Sequence, residues 1–154
     1  MPSPIYRVVT DSTVDFTGSI AQNAMATAAI SLPAGLTGMN GQVELALLGV
    51  VIVSKQNLAW ELDFWGDSNY DEATPDADKY LGRWSFSSDV GLQIGGSGLY
   101  RYYVDGLEIP LWDLEKSGKL FVGLVNRSVT TKTAGANGAV TVTFLVKEMQ
   151  AGYN

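Results

Sequence analysis

The feature that most limits what this chain can fold into is a period of two. In the stretch NLAWELDFW, Leu58, Trp60, Leu62 and Phe64 fall on one side of an extended backbone. Glu61 and Asp63 fall on the other, between Ala59 and Trp65. Successive Cβ atoms of a strand point to opposite faces, so this pattern predicts a strand with an apolar face inward and a polar face toward solvent. AVTVTFLVK repeats it, with Val140, Val142, Phe144 and Val146 against Thr141, Thr143 and Lys147. KLFVGLVNR sets Leu120, Val122 and Leu124 against Phe121, Gly123 and Val125; both faces are apolar, which predicts a strand covered on both sides. LALLGVVIVS, Leu45 to Ser54, reads as a long buried strand whose Gly49 marks a bulge. IYRVVT near the start is a further strand candidate. AQNAMATAAISL has helix-forming alanines, yet Ala24, Ala26, Ala28 and Ile30 keep period two, and it is assigned to a strand.

Turn-forming clusters separate these runs: PAGLTGMNGQ (33–42), GDSNYDEATPDAD (66–78), SSDVGLQIGGSG (87–98), EKSG (115–118) and TAGANG (133–138). Strands punctuated in this way predict an all-β protein. Several connections are long, which favours an antiparallel β-sandwich of jelly-roll or Greek-key type over an up-and-down barrel. About eight or nine strands are expected in one domain spanning residues 1–154. A chain of this length buries roughly 68–70% of its unfolded surface, enough for a core without disulfides or metals. Residues 1–10 read as an extended N-terminal arm, its two prolines opposing helix, and 148–154 as a short loose tail.

Composition removes whole classes of chemistry. The chain has no cysteine and no histidine. Disulfides, thiolate or imidazole metal sites, Cys nucleophiles and Ser-His-Asp triads are therefore excluded. A net charge of −6 and the absence of a basic cluster argue against gripping a phosphate backbone, so no nucleic acid is expected as partner. No apolar run reaches the ~18 residues of a membrane span, so no membrane partner is expected. MPSPIYRVV lacks the charged and apolar regions of a signal peptide, which points to synthesis in a cytoplasm. The sequon-like Asn126-Arg127-Ser128 is then a chance match.

Few candidates for chemistry remain. Asp67, Asn69 and Asp71 have the i, i+2, i+4 spacing of a calcium loop, but its sixth residue is Glu72, its twelfth is Asp78, and Pro75 interrupts it. A solvated acidic loop is the simpler reading. Glu61 and Asp63 share one strand face, and paired carboxylates can serve a glycosidase, although any charged strand face offers such pairs. GGSG, Gly95 to Gly98, lacks the Lys-Ser/Thr of a phosphate-binding loop and reads as a turn. No catalytic residue and no cofactor is assigned.

The aromatic stretch GLYRYYVDGLEIPLWD, Gly98 to Asp113, leaves more open. Alternation puts Tyr100, Tyr102 and Val104 on one side and Leu99, Arg101, Tyr103 and Asp105 on the other. The tyrosines are thus split between faces and form no single flat platform for a sugar. VDGLEIP reads as a strand end, an Asp-Gly turn and a short extended piece stopped by Pro110. A tyrosine suits a core margin or a protein interface equally, having an apolar body and a polar tip.

Residues 43–147 carry a resemblance. LLGVVIVSKQNLAWELDFWG, then SSDVGLQIGGSGLYRYYVDGLEIPLWD, then GKLFVGLVNRSVTTKTAGANGAVTVTFLV, in that order, resemble the capsid decoration (cement) proteins of tailed bacteriophages. The resemblance implies a jelly-roll or related sandwich on the outer surface of an icosahedral head. It implies the major capsid protein as partner, self-association as a homotrimer, and location in the virion. It implies no enzyme. Under it, Arg101, Tyr103 and Trp112 are the candidate inter-subunit contacts, with Tyr100 and Tyr102 core or half-buried. Ile5, Tyr6 and Arg7 of the arm join them, as a strand added to a neighbour. The alternative is a carbohydrate- or receptor-binding sandwich of a phage fibre or tail, built on Tyr100, Tyr102, Tyr103 and Trp112 near Asp105, Glu108 and Asp113.

Overall fold

The computed structural model describes residues 4–11, 15–16, 20–33, 36, 44–70, 79–113, 115–128 and 140–149. Ten strands run in chain order: β1 (Ile5–Val9), β2 (Met25–Ser31), β3 (Glu44–Ser54), β4 (Trp60–Trp65), β5 (Tyr80–Phe86), β6 (Leu92–Gln93), β7 (Tyr100–Val104), β8 (Ile109–Trp112), β9 (Lys119–Asn126) and β10 (Val140–Glu148). They form two sheets, with every strand pairing antiparallel. One sheet runs β1-β10-β3-β7-β6, with β8 also on β3; the other runs β2-β9-β4-β5. The strands that face each other pack the alternating residues foreseen from sequence: Val142, Phe144 and Val146 from one sheet, and Trp60, Leu62, Phe64, Val122 and Leu124 from the other. Phe64 meets Phe144 edge-on across the sandwich, ring centroids 6.0 Å apart.

This order is that of a jelly roll, in which consecutive strands cross between two four-stranded sheets. Ten strands rather than eight or nine arise because β7 and β8 share one position. β7 pairs with Val50–Ser54 of β3, and β8 pairs with Glu44–Leu47 of the same strand. The break between them lies at Gly49. A Cβ there would stand 2.8 Å from the Val104 carbonyl oxygen, so only glycine lets the chain leave β7 so close to β3. On the other side of β3, the register with β10 shifts between Leu145 and Val146, leaving Leu48 as the extra residue. The bulge expected at Gly49 is thus found one residue away. Its partner device is Gly106 (φ 69°) in the Asp-Gly turn, where the Leu107 amide donates to the Leu48 carbonyl at 2.9 Å.

Three expectations change. Pro110 does not stop an extended piece but sits inside β8, opposite Ala46. Proline is tolerated there because β8 pairs only with β3 among the described strands, and a missing amide on its open side costs no ladder bond. Of the residues expected as an extended arm laid on a neighbour, 1–10, Ile5–Val9 form β1, in the IYRVVT strand candidate, paired in register with β10 of the same chain from Ile5–Lys147 to Val9–Thr143. Val8 is the reason: alternation sends it into the core, where it is 2% exposed. Of the expected tail 148–154, Glu148 closes β10 and the Met149 amide donates to the Glu44 carbonyl; the rest lies outside the described residues.

Candidate functional site

The two sheets differ in what covers their outer faces, and that difference locates the site. On the four-stranded sheet the outward residues form rows set by register: Val125–Glu61–Ser85, Gly123–Asp63–Arg83 and Phe121–Trp65–Tyr80. The strand pattern of β4 predicts Glu61 and Asp63 in solvent. Both are instead buried, at 5% and 0% exposure. Met25 lies over Gly123, Tyr70 packs edge-on against Phe121, and Tyr80 packs on Trp65. The acids are neutralised where they stand. Arg127 Nη2 is 3.0 Å from Glu61 Oε2, and Arg83 Nε is 3.1 Å from Asp63 Oδ1. Arg83 Nη1 also reaches Glu61 Oε1 at 3.6 Å, and the Tyr80 hydroxyl donates to Asp63 Oδ1 at 2.9 Å. A buried charge persists only when paired in this way.

This cluster is a structural seal. In the carboxylate pair that suited a glycosidase, both oxygens of Glu61 and Oδ1 of Asp63 are turned to arginines. Asp63 retains one peculiarity: its Oδ2 has no hydrogen-bond partner among the described residues, and burial raises its pKa above the ordinary value of 3.8 against the opposing pull of Tyr80 and Arg83. The folded protein therefore binds the Asp63 proton more tightly than the unfolded chain does. Stability contributed by this group is greatest below 3.8 and declines as pH rises through the folded value. Asp63→Asn imitates the protonated acid. The expected result is a smaller loss of urea stability between mildly acidic and neutral pH than in the unmodified protein. A steeper loss would contradict the assignment.

The six-stranded sheet is different. Its outward residues also lie in rows: Thr141–Val53–Arg101–Leu92, Val9–Thr143–Val51–Tyr103, Arg7–Leu145–Gly49 and Ile5–Lys147–Ala46–Pro110. Ala46 and Gly49 are buried, Val51, Val53, Thr141, Thr143 and Leu145 are half-buried, and the other residues of these rows are exposed. Leu92 is 70% exposed, Ile5 63% and Tyr103 48%. Five strands spaced ~4.8 Å, and four rows two residues apart, give a face of roughly 20 by 20 Å, or about 400 Å². That is within the range of about 300–600 Å² for the largest patch on an ordinary monomer, and about half of one partner's share in a standard interface.

The charges on this open face are of both signs. Arg7, Arg101 and Lys147 are interspersed with the apolar rows, and Arg101 stacks over the Tyr103 ring at 5.0 Å. Acids stand beside them: Asp105, which accepts from the Tyr103 hydroxyl at 3.1 Å, Glu44 at the end of β3, and Glu108, two residues before Pro110. Arg83, Arg127 and Lys79 are paired with acids of their own chain, whereas Arg7, Arg101 and Lys147 make no ion pair among the described residues.

The face gathers four of the six residues proposed from sequence as contacts, namely Ile5, Arg7, Arg101 and Tyr103. Tyr6 lies on the opposite side of β1, packed against the core. Trp112 is half-buried at the end of β8, beside a shallow groove it shares with Leu32, Asp113 and Lys119. Sequence reasoning missed Val9, Val51, Val53, Leu92, Thr143 and Leu145, whose common face depends on the pairing of distant strands. The sugar-platform residues do not converge. Tyr102 is fully buried, and Asp113, 1% exposed, accepts from the amides of Glu115, Ser117, Gly118 and Lys119. Asn126 is likewise fully buried, bonded to the Ile20 carbonyl and to Ser128, so the sequon is not accessible. Of the possible calcium loop, Asp71, Glu72, Pro75, Asp76 and Asp78 lie outside the described residues; Asp67 pairs with Lys79 at 3.3 Å and caps the Asn69 amide. Among the described residues no three acids gather as metal ligands, and no helix is long and apolar enough to cross a membrane.

No protein-family model matches the chain, and no curated protein matches it in sequence. Similar solved structures include a chain of tomato aspermy virus, at 8% identity and a TM-score of 0.42, covering 99% of this chain and 81% of that one. A chain of turnip yellow mosaic virus is 11% identical with a TM-score of 0.29, over 99% of this chain and 98% of that one. The VP2 subviral particle of infectious bursal disease virus is 13% identical with a TM-score of 0.31, over 97% of this chain and 38% of that one. Overlaps this loose carry no information on function.

Proposed function

We propose that the chain is a viral structural protein of the capsid decoration type. It binds the outside of an icosahedral head and holds neighbouring major capsid protein subunits together, as a homotrimer. The observation that carries this reading is the outer face of the six-stranded sheet, whose edge and β7 residues Ile5, Val9, Leu92 and Tyr103 are exposed among the described residues. The other outer face of the same sandwich is sealed by a buried ion cluster, so among the described residues the two faces differ. The resemblance of residues 43–147 to decoration proteins names the partner. One face of about 400 Å² is small for a stable pairwise complex, which suits a protein whose hold comes from many copies and several contacts each.

Two other readings lose support. A sugar-binding site needs its aromatics on one accessible surface, and Tyr102 is fully buried with its hydroxyl engaged. A glycosidase needs carboxyls free to reach substrate, and Glu61 and Asp63 are occupied by arginines. The test is to add the purified protein to expanded, undecorated heads and follow their melting. A rise in the melting temperature of the shell is expected. An unchanged value at saturating protein would contradict the proposal.

A further inference from the structure

We infer that Asp105 is a site of spontaneous covalent modification, at which the folded chain isomerises to isoaspartate through a cyclic imide with Gly106. Asp105 is the one aspartate of the sequence that a glycine follows. The pair lies in the connection between β7 and β8, and both residues are exposed. Three features of this turn favour the reaction. The Gly106 amide makes no hydrogen bond among the described residues, so its nitrogen is free to act as the nucleophile. Gly106, at φ 69°, has no side chain to shield that nitrogen, and nothing lies within 4 Å of the place a Cβ would take. The Asp105 carboxyl is held by one hydrogen bond, from the exposed Tyr103 hydroxyl at 3.1 Å, which water readily replaces. By contrast, Asp63 and Asp113 are buried and bonded, Asp67 is paired with Lys79, and Asp89 precedes the branched Val90.

The reaction needs nothing beyond the chain and water. The Gly106 nitrogen bonds to Cγ of the protonated Asp105 carboxyl. The bond from Cγ to its hydroxyl breaks, and the hydroxyl leaves as water with the amide proton. Water then opens the five-membered imide. Attack at Cγ restores aspartate. Attack at the main-chain carbonyl leaves the chain running through Cγ, with one more methylene in the backbone and no change in mass. The corner has little room for that methylene. The Val104 carbonyl oxygen and the Asp105 Cα lie 2.8 and 3.5 Å from where a Cβ on Gly49 would stand, so the chain already passes close to β3. Two residues further on, the Leu107 amide is tied to the Leu48 carbonyl at 2.9 Å. A longer backbone between these two points displaces the Leu107 bond and loosens Ile109–Trp112 from Glu44–Leu47. It also moves the carboxylate that accepts from Tyr103, so the change reaches the open face.

The experiment ages the whole folded protein in mildly acidic buffer at body temperature, beside a synthetic peptide spanning Tyr102 to Ile109. Isoaspartate is located by peptide mapping with electron-transfer fragmentation. Deamidation at Asn40-Gly41 or Asn137-Gly138 raises the mass of its peptide, whereas isomerisation does not, so the two are told apart. A site reached only through global unfolding reacts more slowly than the peptide by the folded-to-unfolded ratio, at least about a thousandfold. The folded protein is expected instead to form isoaspartate at 105 within about tenfold of the peptide rate, because the turn is open without unfolding. A slower rate overturns the inference. Asp105→Glu keeps the charge but would need a six-membered imide, and is expected to abolish the product; equal melting of the two fresh proteins checks that the fold is intact. An isomer signal that survives in Asp105→Glu would belong to another residue and overturn the assignment. Aged unmodified protein is expected to melt at a lower temperature than fresh protein, in proportion to its isoaspartate content. Unchanged melting at high isoaspartate content would contradict the packing argument at Gly49 and Leu107.

Discussion

Tyr102→Ala is expected to lower the unfolding free energy by roughly 3–5 kcal/mol, the cost of truncating a large buried aromatic. For a chain of this size that corresponds to a fall of roughly 6–20 °C in melting temperature. Tyr102 is fully buried on β7, against Phe86 at 5.8 Å between ring centroids, and so joins the two sheets. Its hydroxyl adds a second role. It accepts from the Leu58 amide at 2.9 Å and lies 2.8 Å from both the Leu58 carbonyl and Asn57 Oδ1, either of which can take its proton. It thereby fixes the connection from β3 to β4 at the point where the chain crosses between sheets. Burial pushes its pKa up to about 12, so it stays a neutral donor across the working range. Tyr102→Phe keeps the ring and removes the hydroxyl, and should cost about 1–2 kcal/mol through the unpaired Leu58 groups. Urea unfolding of both variants checks the division. Equal losses would mean that the hydroxyl, and not the ring, carries the effect.

The second large effect is expected at Asp113. Its carboxylate is 1% exposed and accepts four amides and the Ser117 hydroxyl, with distances of 2.7 Å to the Ser117 and Gly118 amides. These bonds bend the chain from β8 on one sheet into β9 on the other, through Lys116 and Gly118 at positive φ (54° and 71°). Asp113→Ala leaves those donors without an acceptor, at an expected cost of about 3 kcal/mol, since bonds to a charged group contribute more than neutral ones. Asp113→Asn should recover part of this, because the amide oxygen accepts while its nitrogen faces donors. Hydrogen exchange at Ser117 and Gly118 should accelerate in the alanine variant well beyond that of the β10 amides. Unchanged exchange at the turn would contradict the assigned role.

Both effects are set by residues whose positions were partly legible. Alternation alone placed Trp60, Leu62, Phe64, Val142 and Phe144 in the core, assigned AQNAMATAAISL to a strand, and foresaw β9 covered on both sides. It split Tyr102 from Arg101 and Tyr103, but only the resemblance implied that Tyr102 was the inward one. A period of two states which residues share a face, but not what lies over that face. This is why Glu61 and Asp63 read as solvated when Arg83 and Arg127, from two other segments, cover them. Asp113 looked like one more acid of a sugar site because its acceptor role depends on the turn that follows it. The open face was the least legible feature. Its rows join Val9, Thr143, Val51 and Tyr103, residues far apart in sequence that only strand register brings side by side. Pro110 within β8 and the in-chain pairing of β1 have the same origin, since both depend on which strand lies alongside.

On the decoration proposal, the protein meets a viral shell through the outward face of its six-stranded sheet. Cryo-electron imaging of heads incubated with the protein tests it most directly. The account predicts added density on the outside of the shell, oriented so that β1, β10, β3 and β7 face the capsid subunits with Tyr103 and Leu145 at the contact. Density in which the sealed four-stranded sheet faces the shell, or heads with no added density at saturating protein, would contradict it.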